Sequence, residues 1–572
     1  MLTKSYFSQC SPHKTFHEWG KCFLLFIFSF LIVALGQPQT SPSLSLLSSI
    51  CGFAPFWISL FYVKRTFLYS TLWFFLVQLV QLFWLASTTY QGMYILFVYI
   101  GLAMGLGVQF GILALFFPKK PPLTLYHCLG MAAFWTLMEW SRIHILCGFV
   151  WNPVGLAHTA YPICSQLATI GGIFGLSFWV MFINFLAVNV LIKFRKKAFY
   201  IWGSALLVSY IFGWLHIQYH HQKSLNSSNF LNVALIQTAL LPDQKVHLHQ
   251  RKEQYISPYQ QWKNILLYLE KHQSKKLDLI VLPEAAVPYG AYHPRYEYTT
   301  TKNIMRNIWG EVDLNTLLIE PFIKNSEDKI YINNAFWAQA IADNYDAEVV
   351  IGLDDFDEKH NYNAAFHFIP HQSHVTRYEK RILLPLAEYL PFSFLRPLIA
   401  RYGIESFFTH GKQAKVMEGK CPLSISICYE ECFSHLIREG RLKGAKLFVN
   451  ITNDAWYPYS HLPQQHFDHG KIRSIENGVP LVRACNTGVT AGIDSLGRTV
   501  SKFMNPNGSF EQKQGALFLS INLYTFSTLY TLWGDYFILS LSFSCVLLFI
   551  IYLVSSFAFL KKSWYIFFQG MS

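Results

Sequence analysis

Three residues, each just past a strand-like run, have the chemistry of acyl transfer. Cys428 follows Leu423-Ser424-Ile425-Ser426-Ile427, and Glu284 follows Leu279-Ile280-Val281-Leu282-Pro283. Lys380 follows Tyr378-Glu379 near the end of a third strand region. The thiolate, not the thiol, attacks an acyl carbon, and a free cysteine has a pKa near ~8.5, so Cys428 needs a base. Glu284 is the candidate base, provided partial burial lifts its pKa toward working pH. Lys380 is the candidate partner of the thiolate and then of the tetrahedral oxyanion, together with the backbone N–H after Cys428. One such donor is worth roughly 3–4 kcal/mol of barrier. The product is a thioester, reactive enough to pass its acyl group to an amine. Each residue alone has a plainer reading: a core cysteine, a carboxylate opening a helix after Pro283, a solvated lysine beside Arg381. Their combination is what points to catalysis.

The elements that position them belong to a chain of two characters. Hydrophobic residues make up 52% of the 572 and charged residues 14%, against roughly 25% charged in a soluble domain. The long apolar runs fall within 22–215, whereas 216–533 reads as a globular domain large enough for its own core. A spanning helix needs about 20 mostly apolar residues. Candidates lie at 22–36, 44–62, 66–87, 93–117, 123–140, 163–193 and 198–215, with a last one at 535–560. The sixth is long enough to tilt or to contain a re-entrant turn near Gly171-Gly172. The expected division is therefore a membrane domain over 1–215, a catalytic domain over 216–533, and a final span with a short tail over 534–572.

Short loops give the orientation. Lys4, Lys14 and Lys21 precede the first span, and Lys64-Arg65, Lys119-Lys120, Lys193 to Lys197 and Lys561-Lys562 mark every second loop, while loops 37–43 and 88–92 carry no Lys or Arg. The positive-inside rule then puts both termini in the cytoplasm and exports the catalytic domain. A cleaved signal peptide at the N-terminus is a competing reading that leaves the downstream orientation unchanged. The net charge of +13 is spent in these clusters and on anionic headgroups, not in a stripe suited to nucleic acid. The eleven cysteines show no CxxC pair, and His461, His466 and His469 lack a completing carboxylate pattern. No metal and no cofactor is called for.

Within the globular part, strand-like runs recur at 230–237, 277–283, 348–353, 364–369, 423–429, 446–452, 480–486, 490–494 and 515–522, with helical stretches at 247–273 and 463–478. This alternation fits a layered α/β domain.

Glu284 after VLP, Lys380 in YEKRILLPLAEYLPF (378–392) and Cys428 in SISICYEE (424–431) resemble the Glu-Lys-Cys triad of the nitrilase superfamily. More narrowly, the chain resembles the bacterial apolipoprotein N-acyltransferases. The likeness extends through Gly52-Phe53-Ala54-Pro55, Glu139-Trp140-Ser141-Arg142, GFVWNP (148–153), GGIFGLSF (171–178), Tyr362-Asn363-Ala364, VNITNDAWY (449–457), Gln465-His466, Arg473-Ser474-Ile475-Glu476, RACNTG (483–488) and LYTLWGD (529–535). It implies an exported αββα nitrilase-type sandwich carried by eight membrane helices, in the bacterial inner membrane with the catalytic domain periplasmic, and a monomer is expected. It implies that a phospholipid donates its acyl chain to Cys428, and that the amino group of a lipoprotein's N-terminal diacylglyceryl-cysteine receives it. Glu388, eight residues after Lys380, with Tyr429 and Glu430, match the family's supporting active-site positions. Trp456 and Tyr457 form an aromatic loop suited to acyl chains or to the interface.

The chain departs from the family in two places. The stretch 289–345 lengthens the Glu284–Lys380 interval, and Thr238 to Pro242 lacks the usual Gly-Asn and the Trp that follows. A membrane-tethered amidohydrolase would use the same triad with water as acceptor. A transporter with an exported binding domain would need polar residues inside the spans, which are sparse.

Overall fold

The computed structural model describes residues 16–246, 254–271, 276–326, 329–392, 394, 407–505 and 513–569. Lys4, Lys14 and the first residues of the helix expected over 247–273 lie outside them; that helix is seen as Pro258–Glu270. Each expected apolar stretch is helical: Phe16–Leu35, a broken segment over 42–59, Thr66–Gln81, Tyr94–Leu115, Leu125–Ser141, Ala168–Ile192, Lys196–Leu225 and Tyr536–Gln569. Among the described residues, six are long and apolar enough to cross a membrane. Thr66–Gln81 and Leu125–Ser141, with 16 and 17 residues, are shorter.

Two of these helices are broken, and side chains repair both breaks. Between Pro42 and Ser59 the helix passes through a π-turn at Ser48–Gly52. Asn184 of the neighbouring helix donates to the Ser48 and Ser49 carbonyls at 3.1 and 3.0 Å and accepts from the Phe53 N–H at 2.9 Å. Backbone groups in an apolar medium require such partners. The turn expected near Gly171-Gly172 is a kink at Gly172, with φ 64° and ψ −163°. A Cβ there would lie 2.4 Å from the Tyr530 ring, so only glycine fits. The freed Ile173 N–H donates to Glu476 of the catalytic domain at 2.7 Å. The seventh helix continues to Leu225, ten residues beyond the end of its apolar run. Its polar extension docks on the globular part, where His220 bonds the Tyr524 hydroxyl at 2.9 Å and His216 packs edge-on against the Phe526 ring at 5.4 Å, while His216 also bonds the Gln166 side chain of the membrane half at 3.0 Å.

The strands are β1 Phe230–Gln237, β2 Leu279–Val281, β3 Tyr296–Glu297, β4 Ile323–Ser326, β5 Lys329–Ile332, β6 Glu348–Phe356, β7 Asn361–Phe368, β8 Thr376–Glu379, β9 Val416–Met417, β10 Leu423–Ile427, β11 Leu447–Thr452, β12 Leu481–Cys485, β13 Ala491–Ile493, β14 Thr499–Lys502 and β15 Gly515–Asn522. One sheet runs β15-β1-β2-β6-β7-β8 and the other β14-β13-β12-β11-β10-β9. The centres, β1-β2-β6 and β10-β11-β12, are parallel and the flanking pairs antiparallel. Val233, Leu235, Leu279 and Val281 meet Ile425, Ile427, Val449 and Ile451 between the sheets. Helices Pro258–Glu270 and Asn334–Tyr345 cover the first sheet, their Trp262 and Trp337 stacked at 5.4 Å over Ile280 and Ile351. Helices Ser434–Leu442 and Leu462–Asn477 cover the second. The chain thus has an αββα sandwich joined to a helical membrane half.

The second helical layer is shared with the membrane half. In Leu462–Asn477 every residue but Gln464 and Lys471 is buried, because the sheet covers one face and the membrane helices the other. The membrane-domain loops that touch the sandwich are the ones poor in basic residues. Gln37 bonds Gln465 at 2.7 Å, Trp84 packs on Tyr457 at 5.0 Å, and Tyr90 reaches Asp243 at 3.3 Å. Two of the basic loops meet one another, where Lys119 donates to Thr66 beside Lys64-Arg65.

Candidate active site

The site is built at strand ends, two of them on the parallel centres of the sheets and one on the flanking β8. Cys428 begins a turn directly after β10 with φ 53°, a left-handed conformation that costs of order 1–3 kcal/mol and needs support. That support is present. The Cys428 carbonyl lies 3.1 Å from His466 Nε2 and accepts from Asn450 Nδ2 at 3.4 Å. His466 Nδ1 in turn meets Asp454 at 3.0 Å. Glu284 follows β2, and the neighbouring β6 approaches so closely that a Cβ on Gly352 would sit 2.6 Å from the Glu284 Cα. Lys380 follows β8, its N–H bonded to the Asn363 carbonyl at 2.9 Å.

The fold brings the three together with Glu388. The Lys380 ammonium, 1% exposed, donates to Glu284 Oε1 at 3.1 Å and to Glu388 Oε1 at 2.7 Å. Asn363 Nδ2 donates to the same two oxygens at 2.8 and 3.0 Å. The Leu384 N–H holds the other oxygen of Glu388 at 2.8 Å. Charge-assisted bonds of this kind are about twice as strong as neutral ones. Burial works against the Lys380 charge, but Glu284 and Glu388 outweigh it and hold the ammonium well above the usual lysine range. Burial, then the Glu284 charge, push the Cys428 thiol well up, and Lys380 opposes them. The resting thiol is therefore protonated, beside a carboxylate able to take its proton and an ammonium able to meet the charge that follows.

Glu430 and Tyr429 serve as struts for this arrangement. The fully buried Glu430 accepts from the Arg381 and Ile382 N–H groups at 2.6 and 3.2 Å through Oε1. Through Oε2 it accepts from Ile427 N–H and the Tyr378 hydroxyl at 2.8 and 2.9 Å. It thereby ties the segment carrying Lys380 to the strand carrying Cys428. Tyr429 reaches the membrane half, donating to the Gly148 carbonyl at 3.0 Å and lying 6.0 Å from the Trp151 ring. Tyr457 packs between the halves on Trp84, whereas Trp456 is exposed beside Tyr90.

Sequence reasoning missed Asn363, Asn450 and His466 as parts of the site. All three stand in motifs that carry the family likeness, which was the available signal. His466 and His469 of Leu462–Asn477 are buried, with no carboxylate pattern near them in sequence to announce it. Among the described residues no cluster of His, Cys, Asp and Glu is arranged to hold a metal.

Two family models match the chain: the apolipoprotein N-acyltransferase N-terminal domain over residues 29–186 and carbon-nitrogen hydrolase over 233–511. The apolipoprotein N-acyltransferase of Chlamydia pneumoniae is 31% identical over 544 residues, 91% of this chain and 95% of its own. That of Chlamydia caviae is 31% identical over 551 residues, covering 91% and 96%. Among solved structures, an amidase from Nesterenkonia sp. aligns over 51% of this chain and 90% of its own at 16% identity, with a TM-score of 0.32. Relatives that match nearly end to end, beside the two family models on this chain, leave one conclusion: the chain belongs to the apolipoprotein N-acyltransferase family.

Proposed function

We propose that this protein transfers a fatty acyl chain from a phospholipid to the α-amino group of the N-terminal S-diacylglyceryl-cysteine of lipoproteins, through a thioester on Cys428. The observation that carries the reading is the Glu284–Lys380–Glu388 cluster beside the Cys428 thiol, within a sandwich whose second helical layer packs on membrane helices. Glu284 takes the thiol proton, and Cys428 attacks the ester carbonyl. Lys380 and the N–H after Cys428 hold the oxyanion until lysophospholipid leaves with a proton returned by Glu284. In the second half the acceptor amine gives a proton to Glu284 and attacks the thioester, forming the amide and freeing the thiol.

The proposed setting is the bacterial inner membrane, with the sandwich on the periplasmic face and 1–215, 216–533 and 534–572 as the working units of a monomer. Two features support that orientation: the loops touching the sandwich are poor in Lys and Arg, and the basic loops at Lys64-Arg65 and Lys119-Lys120 meet one another instead.

Acceptor choice is tested with phospholipid labelled in its acyl chain and a synthetic diacylated lipopeptide. The label is expected as an amide on the peptide, and removal of the acceptor is expected to stop turnover. Label released mainly as free fatty acid, at a rate indifferent to the lipopeptide, would favour the amidohydrolase reading instead.

A further inference from the structure

The loop after β1, which lacks the family's Gly-Asn and Trp, is nonetheless locked in place and delivers a second lysine to the site. Asn486, just past β12, accepts from the Thr238 hydroxyl at 2.6 Å and the Leu240 N–H at 2.9 Å, and donates to the Leu240 carbonyl at 2.7 Å. Its own carbonyl accepts from Ala239 N–H at 2.7 Å, with Ala239 at φ 46°. The helical turn that follows, Pro242–Lys245, is fixed at its end by Gln261, which donates to the Lys245 carbonyl at 3.2 Å. On its membrane side Asp243 accepts from Tyr90 of the membrane domain. Lys245 is 7% exposed, and among the described residues its ammonium has no hydrogen-bond partner. The charges acting on it are Glu284 and Asp354, which hold it up while burial pulls it down to about 8.

We propose that Lys245 receives the phosphate of the acyl donor and so selects phospholipid over neutral lipid, an inference that rests on the donor reading above. An ammonium withdrawn from water without an acceptor is unfavourable. A phosphate oxygen supplies that acceptor in a charge-assisted bond. Lys380 cannot take this part, because two of its three donors go to Glu284 and Glu388 and the third is committed to the oxyanion. The acceptor substrate presents an amine, which a second ammonium would repel, so the anion that fits is the donor's. Its phosphate lies only a few bonds from the ester under attack, and the turn that carries Lys245 is tied through Asp243 to Tyr90 of the membrane domain.

The test measures acylation of Cys428 in the full-length protein, trapped as the thioester, with phosphatidylethanolamine or with diacylglycerol bearing the same chains. Alkylation of Cys428 by iodoacetamide, read on its peptide, reports whether the triad is intact. K245M is expected to be acylated by phospholipid at least ~10-fold more slowly than wild type, about 1.4 kcal/mol. That rate should be no faster than wild type achieves with diacylglycerol, while alkylation stays within about twofold. K245R is expected to recover most of the loss. Alkylation falling in step with acylation would mean that Lys245 only supports Glu284, and an unchanged phospholipid rate would mean that it does not meet the phosphate; either overturns the proposal. Failure of the wild type to form a thioester from phospholipid would instead sink the donor reading itself, and this proposal with it.

Discussion

Lys380→Ala is expected to slow acylation of Cys428 by about 10²–10³-fold or more, the loss typical of one oxyanion donor, with no recovery at alkaline pH. The ammonium is the common partner of Glu284 and Glu388 and also offsets the influences that push the thiol up. Its removal leaves two buried carboxylates facing one another across Asn363, and breaking a buried pair in this way costs about 3–5 kcal/mol. Raising the pH can make thiolate but cannot restore the missing donor. Acylation rates from pH 6 to 10, with thermal unfolding of the same samples in detergent, give both quantities. A variant that regains wild-type rates at high pH would show that Lys380 acts only on the thiol.

Glu284→Gln should show the opposite pH behaviour. The substitution removes the base and, with it, the charge that after burial does most to raise the Cys428 pKa. The sign follows directly: with one neighbouring negative charge fewer, the thiolate forms at lower pH than it otherwise would in so buried a site. Acylation near neutral pH is expected to fall by about 10²–10⁴-fold, the usual contribution of a general base. It should then climb about tenfold per pH unit as the thiol ionises unaided, until the thiol's own pKa is reached. Lys380 keeps Glu388 as a partner in this variant, so the oxyanion donor survives. A flat profile across pH 6 to 10 would remove Glu284 from the role of base.

The sequence made the triad legible because each member closes a strand, and strand ends can be read from short apolar runs. It made the sandwich legible for the same reason, since β1 and β15 are mostly Val, Ile, Leu, Ala and Phe, and β10 alternates Leu and Ile with Ser. Asn363 escaped because it falls just before the expected strand 364–369, as one polar residue beside it; β7 starts at Asn361, and its pairing with β6 and β8 turns the Asn363 amide toward Glu284 and Glu388. Lys245 escaped because a lysine in a polar stretch looks solvated, and its burial depends on Asn486, some 240 residues away. The polar, tyrosine-rich 289–345 concealed a small sheet, β3-β5-β4, whose strands are too short and too polar for an alternation signal. It also concealed helix Asn334–Tyr345, whose alanines pack against the first sheet. The seventh membrane helix ended early in the reading because hydropathy marks where apolar residues stop. Hydrogen bonding continues for another ten residues, from His216 to Leu225.

Intact mass spectrometry of the full-length protein, incubated with phospholipid and then with a diacylated lipopeptide, tests the assignment of Cys428 most directly. The expected result is one added acyl mass on the protein, released by hydroxylamine, absent in Cys428→Ala, and lost again when the lipopeptide is added as the acyl group passes to its amine. An adduct that persists in Cys428→Ala, or transfer to the lipopeptide with no acyl-protein formed along the way, would contradict it.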